Sequence, residues 1–564
     1  QLLKKFLPAR KMPGISNLFD YPLEMVDKIF ESSVGDTMWH KKVEDYFSNK
    51  LTDSYNMIDD FSTVHANSMR NHQLIKFKCM IQDMLDPEIF VDCCKIRNNR
   101  TGNLYCKTSR FRDTMLTDPS EEPLLDSSSC VTKDRHVYRC IPIPACNYWT
   151  IEDQKLDVFS DETGKRKCIG EESGEKRLRT ETNGCSSSNP YLKSLSCIIK
   201  MYQDFDVLLL NDMAEFIGIL NLEPEECEME TDELDAAEDK REKQPSIHVL
   251  SWRKLSHCNP LLPISSAPES VTMGAGEFGR VRELLLSVLT QSVSGNVLIA
   301  EFLLSHLISS VYTRKDSLAL GKFSFNLFNV PAASTWITAL YNFIEKVSER
   351  SLFLPLTLER LNQTQFVPCK DYEKECLVTG LLQLASNTHL VVDETQLSSG
   401  MLDANGVKNL AALSHMISWQ RVSYNFKYHQ LEYDSNVPVL ILSEGKTVLP
   451  FDAGLPVPAA SQLDDTAFRG LSADQLDLVR KYLTLVKSVD YCVGENMKSV
   501  IEQDFVMMRQ QDQSVSGNDL HKLLSFSRLL AVSCGHTSLT PEFWDRAKSL
   551  DLSRRESIRT FTRD

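Results

Sequence analysis

No two of the 16 cysteines in this 564-residue chain stand in Cys-x-x-Cys spacing, so the paired ligands of a zinc site are missing. A chain this long does not need a disulfide framework, and its cysteines read as free thiols in a reducing compartment. The 12 histidines include no H-E-x-x-H, and there is no G-x-S-x-G elbow. Those gaps remove the common metalloprotease and serine-hydrolase signatures, and no metal is assigned. No apolar run is long enough for a bilayer. The best candidate, Asn296 to Tyr312, carries Glu301 and His306 and reads as a mostly buried soluble helix, so no membrane partner is expected. Positive charge is also scarce: 62 Lys and Arg face 77 Asp and Glu, for a formal net charge of −15. A general nucleic-acid coat needs clustered basic residues and is disfavoured. Two glycosylation-type triplets, at Asn99 and Asn362, follow no signal peptide and read as chance. The chain begins at Gln1 rather than methionine, and the natural N-terminus is expected upstream.

What is present divides into segments. The length predicts two to four domains. Residues 1–66 read as helical, with Trp39, Val43, Tyr46 and Phe47 on one face. From Leu74 the apolar period shortens to two, with a turn expected at Asp86-Pro87. Residues 67–222 then read as a small OB-like β-barrel, interrupted near 150–190 by a polar insert without apolar periodicity. In that insert Lys165, Arg166 and Lys167, followed by Lys176 and Arg177, read as a bipartite nuclear-import signal. Residues 223–245 form an acidic linker. Strands and helices alternate over 246–463, including "SIHVLSWRKLS", and predict a largely parallel α/β core. Residues 464–564 read as a helical lid, whose last helix begins at Thr540-Pro541. The expected class is therefore multidomain α+β and α/β.

One short stretch raises a chemical question. "HLVVDET" runs an apolar strand into the adjacent carboxylates Asp393 and Glu394. An ATPase uses such a pair to hold Mg²⁺ and to direct the attacking water. Its partner is a loop, G-x-x-x-x-G-K-[ST], between a strand and a helix. Upstream, the sequence offers only the region around Gly295, which has no lysine. Gly445-Lys446-Thr447 follows a strand, but Pro450 interrupts the helix that a phosphate loop requires. Asp393 and Glu394 then read as a strand end entering a capped turn, and no nucleotide or other cofactor is assigned.

Longer blocks are more specific. "KFKCMIQDMLDPE", "CNPLLPIS", "EFLLSHLISSVYTRKDSLALGKFSFNL", "NTHLVVDETQLSSGMLDANGVKNLAALSHMISWQRVSYNFKYHQLE" and "NDLHKLLSFSRLL" resemble the MCM-binding protein family of eukaryotes. A more distant likeness is to an MCM helicase subunit, which implies a barrel, a degenerate AAA+ core and a helical lid. The chain departs from that pattern in several places. It lacks the phosphate-loop lysine near Gly295, has Asn518 where a sensor arginine would stand, and has Ser443-Glu444 in place of a sensor asparagine. The resemblance implies a nuclear, non-enzymatic partner of MCM helicase subunits. Such a protein would act in DNA replication, by assembly, protection or unloading, and in sister-chromatid cohesion. Chromatin association would be indirect, and no small-molecule substrate is implied. Two other readings stay open. One is a cryptic ATPase using Asp393, Glu394 and Lys446. The other is a single-strand DNA binder whose barrel would offer Lys76, Phe77, Lys78 and Arg97.

Overall fold

The computed structural model describes residues 21–36, 38–62, 69–115, 118–124, 130–152, 196–203, 207–222, 244–263, 273–315, 318–332, 334–373, 375–458, 463–513 and 515–561. Most of the polar insert, including Lys165, Arg166, Lys167, Lys176 and Arg177, and nearly all of the acidic linker lie outside the described residues. Backbone contacts divide the chain into two compact units.

The first unit takes residues 1–143, 188–255 and 371–377. Two helices open it, α1 (Pro22–Ser32) and α2 (Trp39–Ser54). Pro22 stands in the first turn of α1, where a missing N–H costs nothing. Trp39, Val43 and Phe47 recur every four residues and are buried, as helical spacing predicts. They pack with Val26 and Phe30 and against Leu74, Ile217, Ile219 and Leu250 of the sheet.

That sheet contains β1 (Leu74–Asn98), β2 (Cys130–Pro142), β3 (Cys197–Met201), β4 (Met213–Asn221) and β5 (Ser246–Lys254). They close into a ring in the order β1-β2-β3-β5-β4 and back to β1. Only the β3–β5 pair is parallel. Alternate residues Ile75, Phe77, Cys79 and Ile81 share a buried core with Tyr138, Ile199, Phe216 and Ile247, consistent with a strand period of two.

Two expectations are corrected here. β1 does not turn at Asp86-Pro87. It continues, and the pairing with β2 slips between Leu85 and Glu88, because a bulge accommodates a proline that a regular ladder cannot. The segment "SIHVLSWRK", grouped by sequence with the α/β half, is β5 and closes the barrel. Its alternation suits either setting, and pairing with β3 and β4 decides between them.

The second unit takes residues 144–187, 256–370 and 378–564. Its sheet holds β6 (Phe325–Phe328), β7 (Ser351–Pro355), β8 (His389–Asp393), β9 (Val439–Leu442) and β10 (Ala453–Pro456). All pairs are parallel, in the order β7-β8-β9-β6-β10. β8 and β9 are buried along their whole length, as parallel strands covered on both faces are. The helices that precede and interleave the strands include α3 (Ala275–Ser292), α4 (Val297–Ile308), α5 (Thr335–Val347), α6 (Leu358–Gln363) and α7 (Ala404–Trp419). After the last strand come α8 (Ala473–Leu485), α9 (Glu495–Gln511), α10 (Gly517–Ser533) and α11 (Pro541–Phe561). A single core joins α3, α4, α5 and α8–α11 to the sheet.

α4 is buried continuously from Ile299 to Ile308. Glu301 survives there because Arg282 and Arg546 both pair with it. Among the described residues, no helix is long and apolar enough to cross a membrane.

Candidate functional site

The C-terminal ends of the parallel strands are where open α/β sheets hold ligands, and there β8 delivers Asp393 and Glu394. Both are buried, at 2% and 8% exposure. Asp393 Oδ1 accepts from the Thr395 N–H at 3.1 Å and the Thr395 hydroxyl at 2.6 Å. Its Oδ2 accepts from the Gln396 amide at 2.8 Å. Both oxygens are thus engaged in the turn that follows the strand. Glu394 Oε1 accepts from the backbone N–H of Val448 at 2.8 Å. The acidic pair pins its own turn and the loop after β9, rather than facing an open site.

The same loop explains Lys446. Glu444, Gly445 and Lys446 form a bend, Lys446 is exposed, and β10 follows instead of a helix. Gly295 lies in the turn between α3 and α4, with φ +83° and its N–H donating to Thr290 O at 2.8 Å. That is a helix–helix turn, not the strand–helix connection that a phosphate loop requires. β6, which also lies beside β9, leads into α5 through a short connection that includes Asn329 and Ser334.

A nucleotide requires free backbone donors there and a lysine. The Asn329 and Val330 N–H groups donate instead to Glu444 O at 3.2 Å and Ser443 O at 3.1 Å. Pro331 has no N–H. The Ser334 hydroxyl caps α5 by accepting from the Trp336 N–H at 3.2 Å. No lysine occurs between Phe328 and Glu345. The residues present do not fit a phosphate–Mg²⁺ group. Asn518 is exposed in the first turn of α10.

The barrel side chains proposed for stacking bases are also spoken for. Phe77 is wholly buried and meets Phe61 edge-on at 4.9 Å. Lys76 is 4% exposed, with Nζ 4.4 Å from the centre of the Tyr55 ring. Arg97 is exposed and Lys78 half-buried. A buried aromatic offers no face to a base, so this set is not a stacking platform.

One polar cluster in the first unit went unnoticed in the sequence because no motif marks it. Asp113, in the loop after Leu104–Lys107, pairs with Arg135 of β2 at 2.9 Å and Lys200 of β3 at 2.5 Å. It also accepts from Asn221 of β4 at 2.5 Å and Ser246 of β5 at 3.3 Å. Burial works to raise this carboxyl, but the nearby His248, with Nε2 at 3.4 Å, and the charge of Lys200 outweigh it and hold Asp113 well below the usual carboxylate range. Burial pushes His248 down, so it sits in the cluster as a neutral ring. The Tyr202 hydroxyl is 2.7 Å from His248 Nδ1. With every Asp113 contact made by the barrel itself, the cluster reads as a clasp. Among the described residues no three His, Cys, Asp or Glu side chains converge as metal ligands.

Comparison with known proteins gives one consistent result. The family described as mini-chromosome maintenance replisome factor matches residues 47–190 and 186–558. The mini-chromosome maintenance complex-binding protein of Gallus gallus is 33% identical over 622 residues, covering 97% of this chain and 98% of that protein. Its counterpart in Homo sapiens is 33% identical, with the same coverage. The Drosophila melanogaster protein of that name is 32% identical, covering 88% of this chain and 91% of its own length.

Proposed function

The chain belongs to the mini-chromosome maintenance replisome factor family, and on that premise we propose that it is a non-catalytic binding partner of MCM helicase subunits. The observation that carries the reading is 33% identity, over 97% of the chain, to proteins named for binding the mini-chromosome maintenance complex. In this reading the protein is nuclear and serves DNA replication and sister-chromatid cohesion by assembling, protecting or unloading MCM complexes. Its chromatin association is indirect, through those subunits.

The two units support a mimicry of form. A five-stranded ring with one parallel pair suits an OB-like barrel. Five parallel strands in the order β7-β8-β9-β6-β10, followed by four helices, suit a degenerate AAA+ core with its lid. A subunit-shaped protein can occupy a head-to-tail surface of a ring. With Glu394 bonded to Val448 and the β6–α5 loop fastened to the end of β9, such a mimic would hold partners without turning over nucleotide.

The test is retention of MCM subunits from a nuclear extract by the full-length chain at physiological salt, identified by mass spectrometry. Failure to retain any of them overturns the reading. A thermal melt with millimolar Mg-ATP should leave Tm unchanged. A ligand at a hundred times its Kd adds about 2.7 kcal/mol of stability, so a rise of several degrees would reinstate the ATPase reading.

A further inference from the structure

At the opposite ends of the strands from Asp393, the second unit holds a partly open polar cavity of about 220 Å³. Of its lining, Arg350 lies just before β7, Asn387 just before β8 and Asn436 shortly before β9, while His389, which opens β8, stands beside Lys487 outside the lining. Ser310 follows α4, and Lys487 stands in the turn after α8. Along β8, His389 and Asp393 are four residues apart, roughly 13 Å at the rise of a strand. The cavity is therefore separate from the acidic pair and from the β6–α5 loop.

The charges around it do not balance. Lys487 Nζ has a neutral neighbour, His389 Nε2, at 3.0 Å. Among the described residues no carboxylate lies within ion-pair distance of Lys487. Burial brings its ammonium down to about 8, with Glu349 opposing the shift and Arg350 adding to it. Burial also keeps His389 well below its ordinary range, so that ring stays uncharged. Glu349 is the one carboxylate in the lining, and its oxygens are committed. Oε1 accepts from the Thr484 hydroxyl at 2.9 Å, and Oε2 accepts from the Cys258 N–H at 2.7 Å and Arg350 at 3.3 Å.

Two further lining groups are buried donors without a partner. Arg350 is 1% exposed, and its Nε is unpartnered although its other nitrogens bond Cys258, Glu349 and Ser386. Ser348 is 5% exposed, and its hydroxyl is unpartnered. Apart from His257, the lining sets two cations against one carboxylate, and the surplus positive charge stands in a recessed pocket where it is costly when uncompensated. Water would satisfy the donors but not the charge. The volume falls below the ~300 Å³ at which drug-sized ligand pockets begin, which favours an ion over a nucleotide.

We propose that this cavity binds a small oxyanion of the phosphate class, with Lys487 as its counter-charge and Arg350 and Ser348 as hydrogen-bond donors. Bound there, the anion ties the end of α8 to the N-terminal edge of the sheet. The proposal is independent of the MCM reading.

The test is calorimetric titration and thermal melting of the full chain with inorganic phosphate, against chloride at matched ionic strength and against malonate. The expected result is saturable phosphate binding with a matching rise in Tm, absent with chloride. Lys487→Met should weaken binding roughly 10-fold or more, the loss expected for a charged hydrogen bond. Ser348→Ala should weaken it by less, in a protein that keeps its other contacts. Wild-type affinity should fall as pH rises past about 8 and Lys487 loses its proton. No phosphate binding, an equal response to chloride, or full affinity in both variants would overturn the proposal. Saturable binding of malonate in preference to phosphate would overturn its phosphate class.

Discussion

At the scale of single residues, Glu394 shows how little identity says about role. Beside Asp393 at a strand end it could serve a metal or a turn, and its bond to the Val448 N–H at 2.8 Å decides for the turn. Its second oxygen, Oε2, is buried without a partner. Glu394→Ala should lower stability by about 1–2 kcal/mol, because the Val448 N–H loses a charged acceptor. Glu394→Gln keeps an acceptor and should stay within about 1 kcal/mol of wild type. Denaturant midpoints compare the two, and equal losses would show that the charge matters rather than the bond. Lys76 and Phe77 teach the same point, since a basic–aromatic pair on a barrel strand became core once the ring closed around it.

At the scale of elements, periodicity was the dependable guide. The spacing of Trp39, Val43 and Phe47 predicted α2, and unbroken apolar runs predicted β8 and β9. Element ends were less legible. Pro541 does open α11, but the Thr540 hydroxyl is buried without a partner and does not cap it. Gly218 stands inside β4. In the structure it lies where the β4–β5 register shifts, and a Cβ there would sit 2.2 Å from the carbonyl oxygen of His248. Backbone cannot retreat from such a clash as a flexible side chain can. Gly218→Ala should destabilise the barrel by about 3 kcal/mol. Gly279→Ala, in α3 with nothing within 4 Å of the added carbon, should instead stabilise by roughly 0.5–1 kcal/mol. Thermal melts of the two variants should shift in opposite directions.

At the scale of the whole molecule, the barrel depends on Asp113, which touches β2, β3, β4 and β5 through one carboxylate. A carboxyl held below its unfolded value adds stability above that value and loses it as pH falls toward the folded one. The unfolded value is about 3.9, so the clasp should be intact at neutral pH and weaken progressively below about pH 4. Asp113→Asn leaves Arg135 and Lys200 buried against a neutral group. It should cost about 3–5 kcal/mol at pH 7 and flatten the acid dependence of the first unit. A pH series of denaturant melts on both proteins checks the sign, and an unchanged acid slope in the variant would remove Asp113 as its source.

By itself the sequence determined the mixed α and β character, the helical face of α2, the alternation of barrel strands and the parallel α/β run, because these depend on local spacing. Its long blocks also carried the family. Tertiary structure alone decided that "SIHVLSWRK" closes the barrel, that Gly295 stands in a helix–helix turn, and that Arg350, Asn436 and Lys487 line one pocket. The physical reason is common to all three. Each depends on which strand edge or buried donor finds a partner distant in sequence, and hydrogen-bond partners across a sheet leave no local period to read.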